Sequence, residues 1–220
     1  MTSSANPASI DWRDLRFSLL VGVVFAVVKA LSIFYPDFRI GSNDVYLPFF
    51  LTLGYMLHRA RREPEKLESW GLTVPTAPAA WAAAFGLLVL GVALIAGMSY
   101  GVGGTLSFDA SYPRHMVDYF LAGFTQQFFL CSIGLASLAA LPVFRGHWRL
   151  PLTVGLLFGL AHFWTPAKIP GTPIPLQMIG VVPMGALASY YFLRYRSVVP
   201  LSILHAILYV LLSRWVEAYL

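Results

Sequence analysis

The chain has 220 residues, 58% of them hydrophobic and only 11% charged, with a mean hydropathy of +0.69. A soluble domain is usually about 25% charged, so the composition argues against a soluble enzyme and for a polytopic membrane protein. The net charge of +5 fits basic cytoplasmic loops better than a nucleic-acid surface.

In lipid only helices and closed barrels satisfy the backbone internally. A barrel would show stretches of about ten alternating residues, whereas the apolar runs here are continuous and rich in Ala, Leu, Gly and Phe. The prediction is an all-α bundle of about seven transmembrane helices forming one domain over residues 1–220, without internal repeats. The opening residues are polar and lack a clear cleavage site, and the run after them is too long for a signal-peptide core, so it reads as a retained first helix.

In chain order the predicted spans are Phe17–Tyr35, Tyr46–His58, Ala79–Tyr100, Asp118–Leu141, Leu150–Trp164, Pro175–Leu193 and Val199–Val216. The second and fifth are short for a crossing of about 20 residues. With a cytoplasmic N-terminus, the inner segments hold Arg13, Arg16, Arg59, Arg61, Arg62, Lys66, Arg145, Arg149, Arg194 and Arg196. The outer ones hold Arg39, Arg114, Lys168 and Arg214. That bias is the one the positive-inside rule expects. The charged segment His58–Pro75 reads as an amphipathic surface helix or a solvated loop, with Trp70 placed as an interfacial ring.

Few strongly polar side chains remain within the spans: Lys29, Gln126, Gln127, His162, Gln177 and His205. Burying an uncompensated amide costs roughly 2–7 kcal/mol, so Gln126 and Gln127 are expected to face protein or a wet cavity rather than lipid. Taken singly, each of these groups is explained by helix–helix hydrogen bonding. Their spacing says more. Phe158 and His162 are four apart and share a helix face, as do His205 and Tyr209, and Gln127 and Cys131. Lys29 is read as snorkelling toward an interface. The single cysteine, Cys131, permits no disulfide framework, and two imidazoles with amides make a poor zinc set. No metal and no cofactor are expected.

These segments resemble the CPBP membrane endopeptidases, which include type II CAAX prenyl proteases and bacteriocin-processing or self-immunity proteins. The family pattern is Glu-Glu-x-x-x-Arg, then Phe-x-x-x-His, then His-x-x-x-Asn or a variant. The second motif stands intact at Phe158–His162, and the third has His205 with Tyr209 in place of Asn. The resemblance covers about residues 68–212. The first motif departs, because Gln126, Gln127 and Cys131 stand where the family has Glu, Glu and Arg. The resemblance implies an integral, multi-pass protein of a bacterial or archaeal plasma membrane, whose site is Gln126, Gln127, His162 and His205. Tyr209, Phe158 and Cys131 would contact substrate or oxyanion. The implied partners are a membrane-tethered or C-terminal peptide substrate and the lipid bilayer, without nucleic acid.

A general base must accept a proton near working pH, and a neutral amide cannot. None of the ten acids falls mid-span. Asp118 is the nearest, about 12 Å before Gln126 along the axis. The leading expectation is an intramembrane endopeptidase of this type or its trapped form, with a non-hydrolytic binding protein as the alternative. Three explanations of the motif stand open: an active water-activating endopeptidase trapped by two introduced Glu→Gln changes, a naturally divergent protein that binds a peptide or partner helix without hydrolysis, and altered chemistry with His162 or His205 as base and Cys131 as a possible nucleophile. A small transporter would need a continuous polar pathway, for which the polar groups are too few. His162 near the outer end of its span favours substrates on the outer side.

Overall fold

The computed structural model describes residues 11–34, 43–101, 103–139, 141–144, 148–162 and 174–216. Within them the regular structure is helical throughout. Helix α1 is Trp12–Phe34, α2 Asn43–Arg62, α3 the single turn Lys66–Ser69, and α4 Pro78–Gly101. Helix α5, Tyr112–Gln127, continues through a π-helical stretch, Phe128–Leu135, into α6, Ala136–Ala139. A 3-10 turn at Pro142–Phe144 leads on to α7, Arg149–His162, then α8, Ile174–Tyr195, and α9, Val199–Trp215.

The predicted spans each have a helix here, with shifted ends. The fourth begins at Tyr112 rather than Asp118. Pro113 in its first turn carries a preset φ and lacks only an N–H that a helix start leaves unpaired, and Asp109 accepts from the backbone N–H of Ser111 at 2.7 Å. The second span extends into both flanks, Asn43 to Arg62. The predicted end of the fifth at Trp164 lies outside the described residues. Two helices, Pro78–Gly101 and Tyr112–Ala139, are long and apolar enough to cross a membrane by length and composition. Helix α9, at 17 residues, is about 26 Å long against a hydrocarbon core of about 30 Å.

Helix α5 packs along α9, α4 also lies on α9, α7 pairs with α8, and α1 with α2. The α7–α8 contact is close because Gly155 faces the α8 backbone, where a Cβ would come within 2.5 Å of the Val182 carbonyl oxygen. Cys131 and Leu135 of the π stretch, Leu150 and Val154 of α7 and Phe192 of α8 form one apolar core. A second core joins Ile95 of α4 to Leu204, Leu208 and Leu211 of α9.

The helix ends sort into two groups. At one end Asp14 of α1 accepts from Trp70 Nε1 at 3.0 Å, and Val198, entering α9, donates its N–H to the Gly71 carbonyl at 2.9 Å. At the other, Trp215 Nε1 donates to the Ser107 carbonyl at 2.8 Å, and Arg214 approaches His115 at 2.5 Å.

The segment expected as a surface helix or solvated loop is neither throughout. Helix α2 runs on to Arg62, α3 adds one turn, and Gly71 then reverses the chain at φ +69°. Trp70 is 2% exposed rather than interfacial. Its ring lies edge-on to Phe128 at 5.1 Å, and its indole N–H is drawn inward by the Asp14 carboxylate.

Candidate functional site

Helix α5 carries Tyr119, Gly123 and Gln127 at four-residue intervals, so they share one face. Helix α9 carries His205 and Tyr209 at the same interval, and because the two helices run antiparallel the two ladders meet rung by rung. Gln127 Nε2 lies 3.3 Å from His205 Nδ1. One rung on, a Cβ on Gly123 would come within 3.0 Å of His205 Cδ2, so glycine makes room for the imidazole. Further along, the rings of Tyr119 and Tyr209 are 4.3 Å apart, and Tyr209 stacks nearly parallel to His205 at 6.3 Å.

Gln127 is 5% exposed and uses both ends of its amide. Its N–H side faces His205, and its Oε1 accepts from the Cys131 thiol at 3.7 Å. With the amide donating, His205 Nδ1 supplies a lone pair and its proton sits on Nε2, which is the neutral imidazole. Cys131 is fully buried within the apolar core. It sits where the resemblance places an arginine, and a guanidinium buried at that spot would need a partner anion.

The remaining expected residues divide. Gln126 is half-buried next to Gln127, turned about 100° around the helix from it. Phe158 packs at the α7–α8 contact, where a Cβ on Gly185 would meet its Cβ at 3.0 Å. His162 ends α7, but its side chain lies outside the described residues, as do those of Gln177 and Lys29. Asp118 is exposed, so the nearest acid in sequence turns away from the amides. Asp11, Asp14 and Glu63 are committed to Arg59 and Lys66 at one end of the bundle, Asp109 caps a turn at the other, and Glu65 and Glu68 are exposed. Among the described side chains, therefore, no carboxylate stands beside the amide–imidazole pair. Gly123 and Tyr119 were missed by sequence reasoning, although their spacing of four and eight residues before Gln127 signals the shared face.

The chemistry available here is neutral. The pair can donate and accept hydrogen bonds and orient a peptide or a water, but the amide cannot hold a proton taken from that water. Among the described residues no three His, Cys, Asp or Glu side chains gather as a metal-binding set.

Residues 108–211 match the family model described as type II CAAX prenyl endopeptidase Rce1-like. The match spans α5, the π stretch, α7, α8 and most of α9, and so takes in both halves of the amide–imidazole contact. No curated protein and no solved structure matches the chain. Residues 108–211, which bring Gln127 and His205 together, are thus similar to the Rce1-like type II CAAX prenyl endopeptidases.

Proposed function

We propose that this protein is a membrane-embedded, peptide-binding Rce1-like protein that keeps the family's pocket without hydrolysing what enters it. The observation that carries this reading is the use Gln127 makes of its amide. One end meets the His205 imidazole and the other takes the Cys131 thiol, so the side chain is satisfied as an amide rather than as a stand-in for an acid. Water activation of the family's kind assigns the proton to a glutamate, and the described carboxylates are engaged or exposed elsewhere.

In this reading Gln126, Gln127, His205 and Tyr209, with His162 as a further expected member, offer donors and acceptors to the backbone of a membrane-tethered or C-terminal peptide. Phe158 and Cys131 act as apolar packing behind the polar face. The seven long helices each cross the bilayer, with the N-terminus and the Trp70 end in the cytoplasm. Support for that orientation comes from the alternation of the helix ends and from the ten basic residues on one side against four on the other.

The test uses purified protein in liposomes with a panel of prenylated C-terminal and membrane-tethered peptides, scoring both cleavage and photo-crosslinking. The expected result is crosslinking without cleavage, in the wild type and in Gln126→Glu/Gln127→Glu alike, since the family's arginine is still missing at position 131. Cleavage by the wild type that vanishes in His205→Ala overturns the reading in favour of imidazole-based hydrolysis. Cleavage gained only by the double glutamate variant identifies a trapped endopeptidase.

A further inference from the structure

Two side chains on separate helices, joined by one hydrogen bond of 3.3 Å, hold their geometry only if both helices are held. The bond is near the upper limit of useful length, and a further half ångström of drift would end it. The helix carrying Gln127 changes immediately after it into eight residues of π helix, a wide turn that is rare alone and relies on its surroundings.

Both helices are tied at the same short stretch of backbone. The Trp70 carbonyl accepts from Ser132 Oγ, buried in the π stretch, at 2.5 Å. The indole of Trp70 lies edge-on against Phe128, the residue directly after Gln127. One residue later, the Gly71 carbonyl accepts the Val198 N–H at 2.9 Å, and the Thr73 carbonyl accepts from Ser197 Oγ at 2.8 Å. Val198 precedes α9, and His205 follows seven residues later, about two turns along the same rod. The stretch is itself fixed on its far side, because the Asp14 carboxylate takes the Trp70 indole N–H and the Tyr55 hydroxyl. Gly71 admits no side chain here, since a Cβ would lie 2.6 Å from the Arg196 carbonyl oxygen.

We propose that Trp70–Thr73 is a positioning brace that sets the separation and rotation of α5 against α9 and so keeps Gln127 in contact with His205. Trp70 and Ser132 are positioning residues in this scheme, acting through the helices and touching neither member of the pair. The brace concerns the geometry of the pair and holds whatever the pocket binds.

The test compares Trp70→Phe, which keeps a ring on Phe128 but loses the indole N–H, with Ser132→Ala and Ser197→Ala, each of which removes one tie. Ser189→Ala serves as control, because Ser189 makes the same kind of buried hydroxyl-to-carbonyl bond, to Gly185 at 2.8 Å within α8, away from the brace. The readout is the imidazole nitrogen NMR signal of His205 in the ligand-free full chain, assigned by its loss in His205→Gln, alongside the melting temperature in detergent. The brace variants are expected to move the His205 signal toward an exchanging mixture of tautomers and to weaken peptide crosslinking roughly tenfold, the effect of about one hydrogen bond. Ser189→Ala is expected to lower the melting temperature similarly without moving that signal. An unchanged His205 signal in those brace variants that fold, or an equal movement in Ser189→Ala, overturns the brace. Wild-type protein that crosslinks no peptide overturns the proposed function alone, because the imidazole signal is read without ligand.

Discussion

The bundle treats buried polarity in two opposite ways. At the Trp70 end it gathers full charges. Arg59, only 6% exposed at its side chain, meets Asp11 at 3.0 Å and Glu63 at 2.7 Å, and Lys66 pairs with Asp11. Where α5 meets α9 the described polar groups are instead an amide, an imidazole, a thiol and two phenols. Charges survive burial where several partners share them and water is near, whereas a pocket flanked by apolar cores tolerates polar groups only when each has a neutral partner. Charge at one end thus ties the helices together, whereas the contact between α5 and α9 is made by an amide and an imidazole.

The sharpest way to break that contrast is to unbalance the charged end. Asp14→Ala removes the acceptor for Tyr55 and Trp70 and part of the counter-charge of Arg59. Leaving the Trp70 N–H and the Tyr55 hydroxyl without their acceptor costs about 3 kcal/mol together, so a large fall in melting temperature or loss of folded protein is expected. A shift near zero would mean that the cluster is ornamental and the apolar cores carry the fold. Gly71→Ala comes next, at about 2 kcal/mol for a side chain forced into left-handed backbone, read from the same thermal scans.

On the neutral side, Gly123→Ala pushes a methyl group against the His205 ring. Overpacking of this kind costs about 1 kcal/mol or a little more. Peptide crosslinking should fall further than stability does, because the added methyl displaces the imidazole itself. Equal loss in both would indicate that His205 only fills space.

Acid titration probes the charged end. Partial burial by itself would raise the Asp11 carboxyl, but the hydrogen bond and charge of Lys66 and the hydrogen bond from Arg59 outweigh it and hold the group down at about 2, against an ordinary value of 3.8. A carboxyl lowered on folding contributes stability above its ordinary value and loses it as pH falls through the lowered one. Detergent melts should therefore weaken between about pH 4 and pH 2, by on the order of 1 kcal/mol once solvent screening of this partly exposed group is allowed for. Asp11→Asn should flatten that part of the profile. The smallest effect belongs to Cys131. Being fully buried, it should resist maleimide in the folded protein and react only after denaturation, and rapid labelling of the native state would mean that water reaches the core around it.

Much of this was legible from residues alone. Long apolar runs with a low charge fraction dictate helices, since a lipid-facing backbone has no other way to pair its own groups. Spacings of four residues placed Gln127 with Cys131, and His205 with Tyr209, on common faces before any coordinates. The departure at positions 126, 127 and 131 was legible as well, but the sequence left open whether it marks a trapped endopeptidase, a peptide-binding protein or altered chemistry. Tertiary structure alone decided which amide meets an imidazole, that Gly123 makes room for it, and that Trp70 is a buried keystone rather than an interfacial ring. Periodicity assigns a residue to a face of its own helix, but the neighbour that covers that face comes from a distant part of the chain. Asp14 lies 56 residues before Trp70, and Gln127 lies 78 before His205. Only the packing of one helix on another brings such pairs within the reach of a hydrogen bond.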